Sequence, residues 1–172
     1  MTSRMHVRGR RITALLMLSL GIAGLSGCGN AITVHDAGQV GITVDQAGGP
    51  VIMIMTCAMA TPVIDLAEGR KESDPSTKQN VERGLWRARK AFTGVKQFAL
   101  RNPGEDWLMS RDPGPLEPDR LFIVDGGTAE DKNASLTPVD FRTPDLTRLS
   151  PDQVLVNGKV EPLSSFGDYR CS

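Results

Sequence analysis

The feature that most restricts this chain is how often it is interrupted. Turn-forming clusters recur along it: "DQAGG" (45–49), "NPGED" (102–106), "DPGPLEPD" (112–119), "DGGTAEDKN" (125–133) and "NGK" (157–159). Each combines glycine with Asp, Asn or Pro, residues that accept turn geometry for distinct steric and hydrogen-bonding reasons. Glycine and proline together supply 29 of the 172 residues. From "NPGED" onward the clusters separate segments of mostly strand length. Turn signals spaced about 8–12 residues apart point to an all-β domain of sandwich type.

The segments between the turns fit that reading. Val40–Val44, "VGITV", alternates, and "PVIMIMTC", Pro50–Cys57, is a continuous apolar run of strand length. Two such runs around a Gly-Gly turn predict a β-hairpin. The second run is apolar on both faces and predicts a central strand, with Met53 and Met55 as core residues among Ile and Val rather than metal ligands. Residues 67–80, "AEGRKESDPSTKQN", are polar and predict an exposed loop. The stretch 83–101, "RGLWRARKAFTGVKQFALR", carries two patterns. Val81, Leu85, Ala88 and Phe92 have helical spacing, with Ser76 and Gln79 placed as a capping box. Trp86, Ala88, Lys90 and Phe92 alternate at strand spacing, which predicts two strands joined near Thr93-Gly94. Further strands are expected at Trp107–Ser110, Leu121–Asp125, Ser135–Arg142 and Val154–Asn157, with a single helical turn near residues 145–149. The expected fold is one antiparallel β-sandwich over residues 40–172, with an immunoglobulin-like architecture as one form of it.

The N-terminal segment, Met1 to Gly27, has another character. Arg4, Arg8, Arg10 and Arg11 come before an apolar run, Ile12 to Leu25, and the small residues Ser26 and Gly27 lead into Cys28. This is the layout of a secretory signal peptide. The run is short of the roughly 20 residues that span a bilayer comfortably. Leu25-Ser-Gly-Cys28 resembles the bacterial lipobox, in which a signal peptidase cuts before the cysteine. The resemblance implies a diacylglyceryl thioether on Cys28, chemistry that only a thiol supports. Two acyl chains give stable anchoring where one gives marginal binding. The expected organisation is a signal peptide at 1–27, a lipidated tether at 28–39 and the domain at 40–172. The protein then sits on the extracytoplasmic face of the membrane, with the lipid bilayer as its first partner. Arg10-Arg11 also admits a twin-arginine export route, although "GRRITAL" matches that motif poorly.

Charge and cysteines narrow the partners. The whole chain has 20 basic and 20 acidic residues, so loss of a segment with four arginines and no acid leaves a net charge of about −4. A general nucleic-acid or polybasic membrane binder is disfavoured by that balance. Of three cysteines, lipidation of Cys28 leaves Cys57 and Cys171. Two thiols in one exported domain predict a disulfide that closes most of the domain into one loop.

The spacing of Trp107, "PDRLFIVDGG" (118–127) and "VDFRTPDLTRLSPDQVLV" (139–156) resembles small secreted lipoproteins of actinobacteria. The likeness spans roughly residues 40–171. It implies an exported sandwich-type domain and carries no catalytic residue across. "DYRC", Asp168–Cys171, resembles the tyrosine corner of immunoglobulin domains, in which a Tyr stands two residues before a Cys.

Groups for chemistry are sparse. His35 is the only histidine beyond the signal segment, and it falls in the expected tether. A Ser-His or Cys-His catalytic pair would have to use it. No phosphate loop of the G-x-x-x-x-G-K type occurs, and no cofactor is implied. Asp125, Glu130, Asp131 and Asn133 share one Gly-containing loop that could offer oxygen ligands to calcium, but without the EF-hand spacing. Glu105, Asp106 and Asp119 are candidate acid/base carboxylates. Arg83, Arg87, Arg89, Lys90, Lys96 and Arg101 form an acid-free basic stretch interleaved with Trp86, Phe92 and Phe98. On strands, Arg87, Arg89 and Lys96 are the candidates for a face that meets an anionic envelope polymer or a protein partner. The expected function is a lipid-anchored binding module. The alternative is a cell-envelope hydrolase with a carboxylate-based site.

Overall fold

The computed structural model describes residues 34–70, 75, 79–118 and 120–171. Cys28 and the signal segment lie outside the described residues, as does Asp119.

The all-β expectation holds. Among the described residues ten strands form one hydrogen-bonded sheet: β1 (His35–Val44), β2 (Pro50–Ala60), β3 (Pro62–Glu68), β4 (Val81–Ala88), β5 (Phe92–Ala99), β6 (Trp107–Arg111), β7 (Leu121–Thr128), β8 (Ala134–Arg142), β9 (Gln153–Val156) and β10 (Lys159–Pro162). A helical turn, α1 (Thr143–Leu146), follows β8, and a 3₁₀ helix (Leu163–Asp168) follows β10. The sheet is curled and open, a half-barrel whose concave side holds the main core.

The curl has a local cause. β2 pairs with β5 from Val51↔Ala99 to Ala60↔Phe92, and β3 pairs with β4 from Val63↔Arg87 to Glu68↔Val81. These are two arms of one long antiparallel ribbon. It is broken at Thr61 on one strand and at Arg89–Ala91 on the other, where it turns a corner. A register shift between Thr56 and Ala60 marks a bulge, the usual device for bending a ribbon. Inside the bend the inward residues are aromatic. Ring centroids lie 5.4 Å apart for Trp86–Phe98, 4.4 Å for Phe98–Trp107 and 6.2 Å for Phe92–Trp107. Such pairs add about 0.5–1.5 kcal/mol each beyond the area they bury. Gly84 makes room for the cluster, because a Cβ there would stand 2.3 Å from the Trp86 ring.

The strands expected from 83–101 are present, but their joint is not at Thr93-Gly94. It is at Arg89–Ala91, and Gly94 lies within β5 opposite Thr56. The two strands do not pair with each other; each pairs across the ribbon with β2 or β3. β3 is a strand that the sequence reading does not anticipate. Its proline is the first strand residue, where a missing N–H is tolerated, and Ile64 and Leu66 are buried in the core. Ala67 and Glu68 therefore belong to β3 and not to the loop expected from residue 67. β10 is also unforeseen. It returns along β9 after Asn157 and Gly158, whose φ angles are 49° and 70°. Positive φ at both central residues is what a tight hairpin turn requires. The helical turn sits slightly earlier than expected because it starts around Pro144, a residue pre-set for the first helical positions.

β1 begins at His35, so residues 35–39 belong to the sheet rather than to a tether. Their partner is β8, in parallel register from His35↔Ala134 to Gln39↔Thr137. The sheet is thus mixed, not purely antiparallel. Farther along the same edge of β1, β9 takes over at Ile42↔Leu155.

A second, smaller core lies on the convex side. Val51, Met53, Val154, Val156 and Phe166 are buried together, with Met55 packed against them. β2 is therefore buried on both faces, as its sequence predicts, and both methionines are packing residues. The 3₁₀ helix brings Phe166 onto this patch. Gly41 allows it, since a Cβ would come within 2.8 Å of the Phe166 ring. Gln39 Nε2 donates to the Phe166 carbonyl at 3.0 Å.

Candidate functional site

The expected disulfide is present. Cys57 and Cys171 are bonded with Cα atoms 5.6 Å apart, across a sequence separation of 114. It ties the C-terminal segment to β2. Tyr169 adds a second fastening: its hydroxyl donates to Asp36 Oδ2 at 2.8 Å and lies 3.2 Å from Thr137 Oγ1. In a tyrosine corner the hydroxyl bonds to nearby upstream backbone. Here it reaches side chains on β1 and β8, and Cys171 follows a 3₁₀ helix rather than lying on a strand.

The basic stretch divides into groups with different roles. Trp86 and Ala88 are buried, while Arg87 and Arg89 project from the opposite side of the ribbon and are exposed. Lys90, in the corner, is exposed as well. Lys96 does not join them. It shares the inward parity of Phe92 and Phe98, lies 5.1 Å from the Phe92 ring centroid and pairs with Asp106 at 3.4 Å. The face expected from Arg87, Arg89 and Lys96 is therefore two arginines and Lys90, with Lys96 on the other side of the sheet. Glu130 approaches this corner. Hydrogen bonding to Thr61, whose N–H donates to Glu130 Oε2 at 3.1 Å, holds its carboxyl below the usual range, with a smaller contribution from the Arg87 charge.

Arg83 is committed to structure. Its Nε lies 3.5 Å from the buried Glu68, whose other oxygen meets Arg120 Nη1 at 2.9 Å. Glu117 completes the group, 3.3 Å from Arg120 and 3.9 Å from Arg83. Two guanidinium groups around one buried carboxylate satisfy it, as burial of a charge demands. No spacing rule reveals this pairing, since Glu68, Arg83 and Arg120 come from three separate segments.

The carboxylates of the 125–133 segment each accept from a backbone N–H. Asp125 Oδ1 accepts from the Gly126 N–H at 2.6 Å, Glu130 takes the Thr61 N–H, and Asp131 Oδ1 accepts from the Asn133 N–H at 2.8 Å. The other Asp131 oxygen meets His35 Nδ1 at 2.8 Å, so His35 fastens the start of β1. The Asn133 bond first, and then His35, hold the Asp131 carboxyl below its ordinary range. Among the described residues no group of three His, Cys, Asp or Glu side chains is placed to hold a metal ion. Glu105 and Asp106 line a polar cleft of about 480 Å³ with Lys96, Gln97 and Trp107.

The acidic pair that the fold brings side by side is a different one. Asp65 on β3 stands directly opposite Asp125 on β7, on the outer face of the sheet. Burial raises the Asp65 pKa, followed by the charges of Asp125 and Glu82. The folded state holds that proton more firmly than the unfolded chain does. Its cost to stability is absent below the ordinary carboxyl pKa and grows as pH rises through the raised one. Asp65→Asn is expected to stabilise the domain at neutral pH by up to about 1 kcal/mol, the scale of a half-exposed cross-strand pair. The gain should vanish in acid. Denaturant titrations at neutral and acid pH check this, and an equal gain at both would refute the carboxylate clash.

A second cleft, mainly apolar and about 400 Å³, opens at the end of the sheet between the β1–β2 turn, the end of β5 and α1. No protein-family model, curated protein or solved structure matches the chain.

Proposed function

We propose that the protein is a lipid-anchored binding module on the extracytoplasmic face of a bacterial membrane, attached through Cys28. The Cys57–Cys171 bridge carries this reading. It uses the two cysteines that remain once Cys28 is assigned to lipid, and such bridges persist in oxidising compartments. The bent ribbon, whose two arms pack core against core, supports a sandwich-type envelope domain like those of the secreted actinobacterial lipoproteins that the sequence resembles. The surface for an anionic envelope polymer or protein partner is the outer corner formed by Arg87, Arg89 and Lys90. On an otherwise acidic domain, an exposed basic corner steers anionic partners by its local field.

Two readouts on the full chain test this. Intact mass of the membrane-bound protein should show acylated Cys28 as the N-terminus, and Cys28→Ala should shift the protein away from the membrane. Binding to anionic envelope polymers should weaken with salt and weaken further in the Arg87→Glu/Arg89→Glu variant. Unacylated wild-type protein refutes the anchor, and undiminished binding by the double variant refutes the basic corner.

A further inference from the structure

The apolar cleft at the end of the sheet has the composition of a ligand site. Its lining includes Val44, Leu100, Leu146 and Leu149, which also belong to the main core, so its floor is the end of that core. Its volume is about 400 Å³. Small-molecule sites are of that order and are mostly apolar with a few placed polar groups. The polar groups here are few and mostly spent. Thr143 Oγ1 donates to the Glu117 carbonyl at 3.1 Å, and Thr147 Oγ1 donates to the Pro144 carbonyl at 2.9 Å. Arg101 differs. It is exposed at the cleft and, among the described residues, has no carboxylate within ion-pair distance. Arg83, Arg111 and Arg120 all have such partners.

We infer that the cleft binds a fatty carboxylate, with the alkyl chain against Leu100, Leu146 and Leu149 and the head group on Arg101. A guanidinium presents two parallel N–H donors that match a carboxylate bidentately. The chain replaces water over side chains that already form the end of the core, and its transfer from water supplies the driving force. A neutral amphiphile would leave the Arg101 charge unmet, and a cationic one would be repelled. This site is separate from the Arg87–Lys90 corner and does not depend on it.

The test uses the full chain carrying Cys28→Ala, so that no attached lipid competes. Laurate, dodecanol and dodecyltrimethylammonium share a chain length and differ in head group. Laurate and the cation are titrated below their micellar concentrations, and dodecanol below its solubility limit, by calorimetry. Laurate is expected to bind, with dodecanol on the order of tenfold weaker and the cation weaker still. Arg101→Ala should bring laurate down to the dodecanol level, and Arg101→Glu should reverse the preference toward the cation. Thr147→Phe, a bulky substitution at an exposed residue of the lining, should abolish binding of laurate and dodecanol alike. Equal affinity for laurate and dodecanol would overturn the inference, as would laurate binding that survives Thr147→Phe or no laurate binding at all.

Discussion

Replacing Cys57 with serine is expected to destabilise the domain by about 2–5 kcal/mol, the usual cost of losing a native bridge from a small secreted domain. The sequence separation of 114 places this bridge toward the upper part of that range. In the chain-entropy account a loop of about 100 residues contributes roughly 4.7 kcal/mol by restricting the unfolded ensemble, and native strain reduces that figure. The folded side matters as well. Without the bridge, the segment from Leu163 to Cys171 is held by Phe166 packing, the Gln39 bond to the Phe166 carbonyl and the Tyr169–Asp36 bond. Its release would expose Val51, Met53, Val154 and Val156 on the convex side. Reduction of the wild type should therefore mimic Cys57→Ser in denaturant unfolding and should raise binding of an apolar dye before the main transition. Tyr169→Phe, which removes the hydroxyl's bond to Asp36 and its contact with Thr137 at the part-buried surface, should cost only about 1–2 kcal/mol. Unfolding midpoints that coincide with and without reductant would rule out the bridge as a stabilising element.

The bridge is legible in the sequence because it follows from counting: with Cys28 set aside for the expected lipid, two thiols are left over. Strand β2 is legible because a run apolar on both faces has few other destinations. The order of the sheet is not. β3 and β4 look like local segments in sequence, yet their partners are β7 and β6 as well as each other, and no local pattern encodes that. The joint at Arg89–Ala91 is hidden for a related reason. Gly94 signals a turn by composition, but its φ of 83° serves β5 beside the bulge in β2, a requirement set by the partner strand. The alternation of Trp86 and Ala88 against Arg87 and Arg89 can be read directly, since parity along one strand is a local property. Extending that face to Lys96 fails because the corner lies between them, and the bend carries Lys96 to the core side with Phe92. Asp65 gives no sign in the sequence at all. Its proton-holding environment comes from burial and from Asp125, distant along the chain and directly opposite in the sheet.

Gly38→Ala is expected to be among the most damaging single-methyl changes in the domain, costing about 3 kcal/mol or more from a strained backbone region plus lost sheet hydrogen bonds. Gly38 is buried at the point where β1 changes how it pairs. It stands opposite Thr56 on β2 and opposite Leu136 on β8, just past a register shift from Asp36. Its φ is 132°, and the Asp36 carboxylate accepts its N–H at 3.0 Å. A Cβ built there would stand 1.9 Å from the Met55 carbonyl oxygen and 2.9 Å from the Met55 carbonyl carbon. Both neighbours are backbone, so no side chain can rotate away; β2 itself would have to move. That movement would disturb the β1–β2 ladder next to the Cys57 end of β2 and the seat of the Tyr169–Asp36 bond. Gly48→Ala is the matched control. Gly48 also has a positive φ, 81°, but nothing lies within 4 Å of a Cβ added there. It bears only the conformational cost of a left-handed residue, about 1–2 kcal/mol. Denaturant unfolding of both variants separates the two contributions. If Gly38→Ala unfolds at the same midpoint as Gly48→Ala, the close approach of β2 to Gly38 contributes nothing, and the hand-off of β1 from β8 to β9 must be held by the flanking strand residues instead.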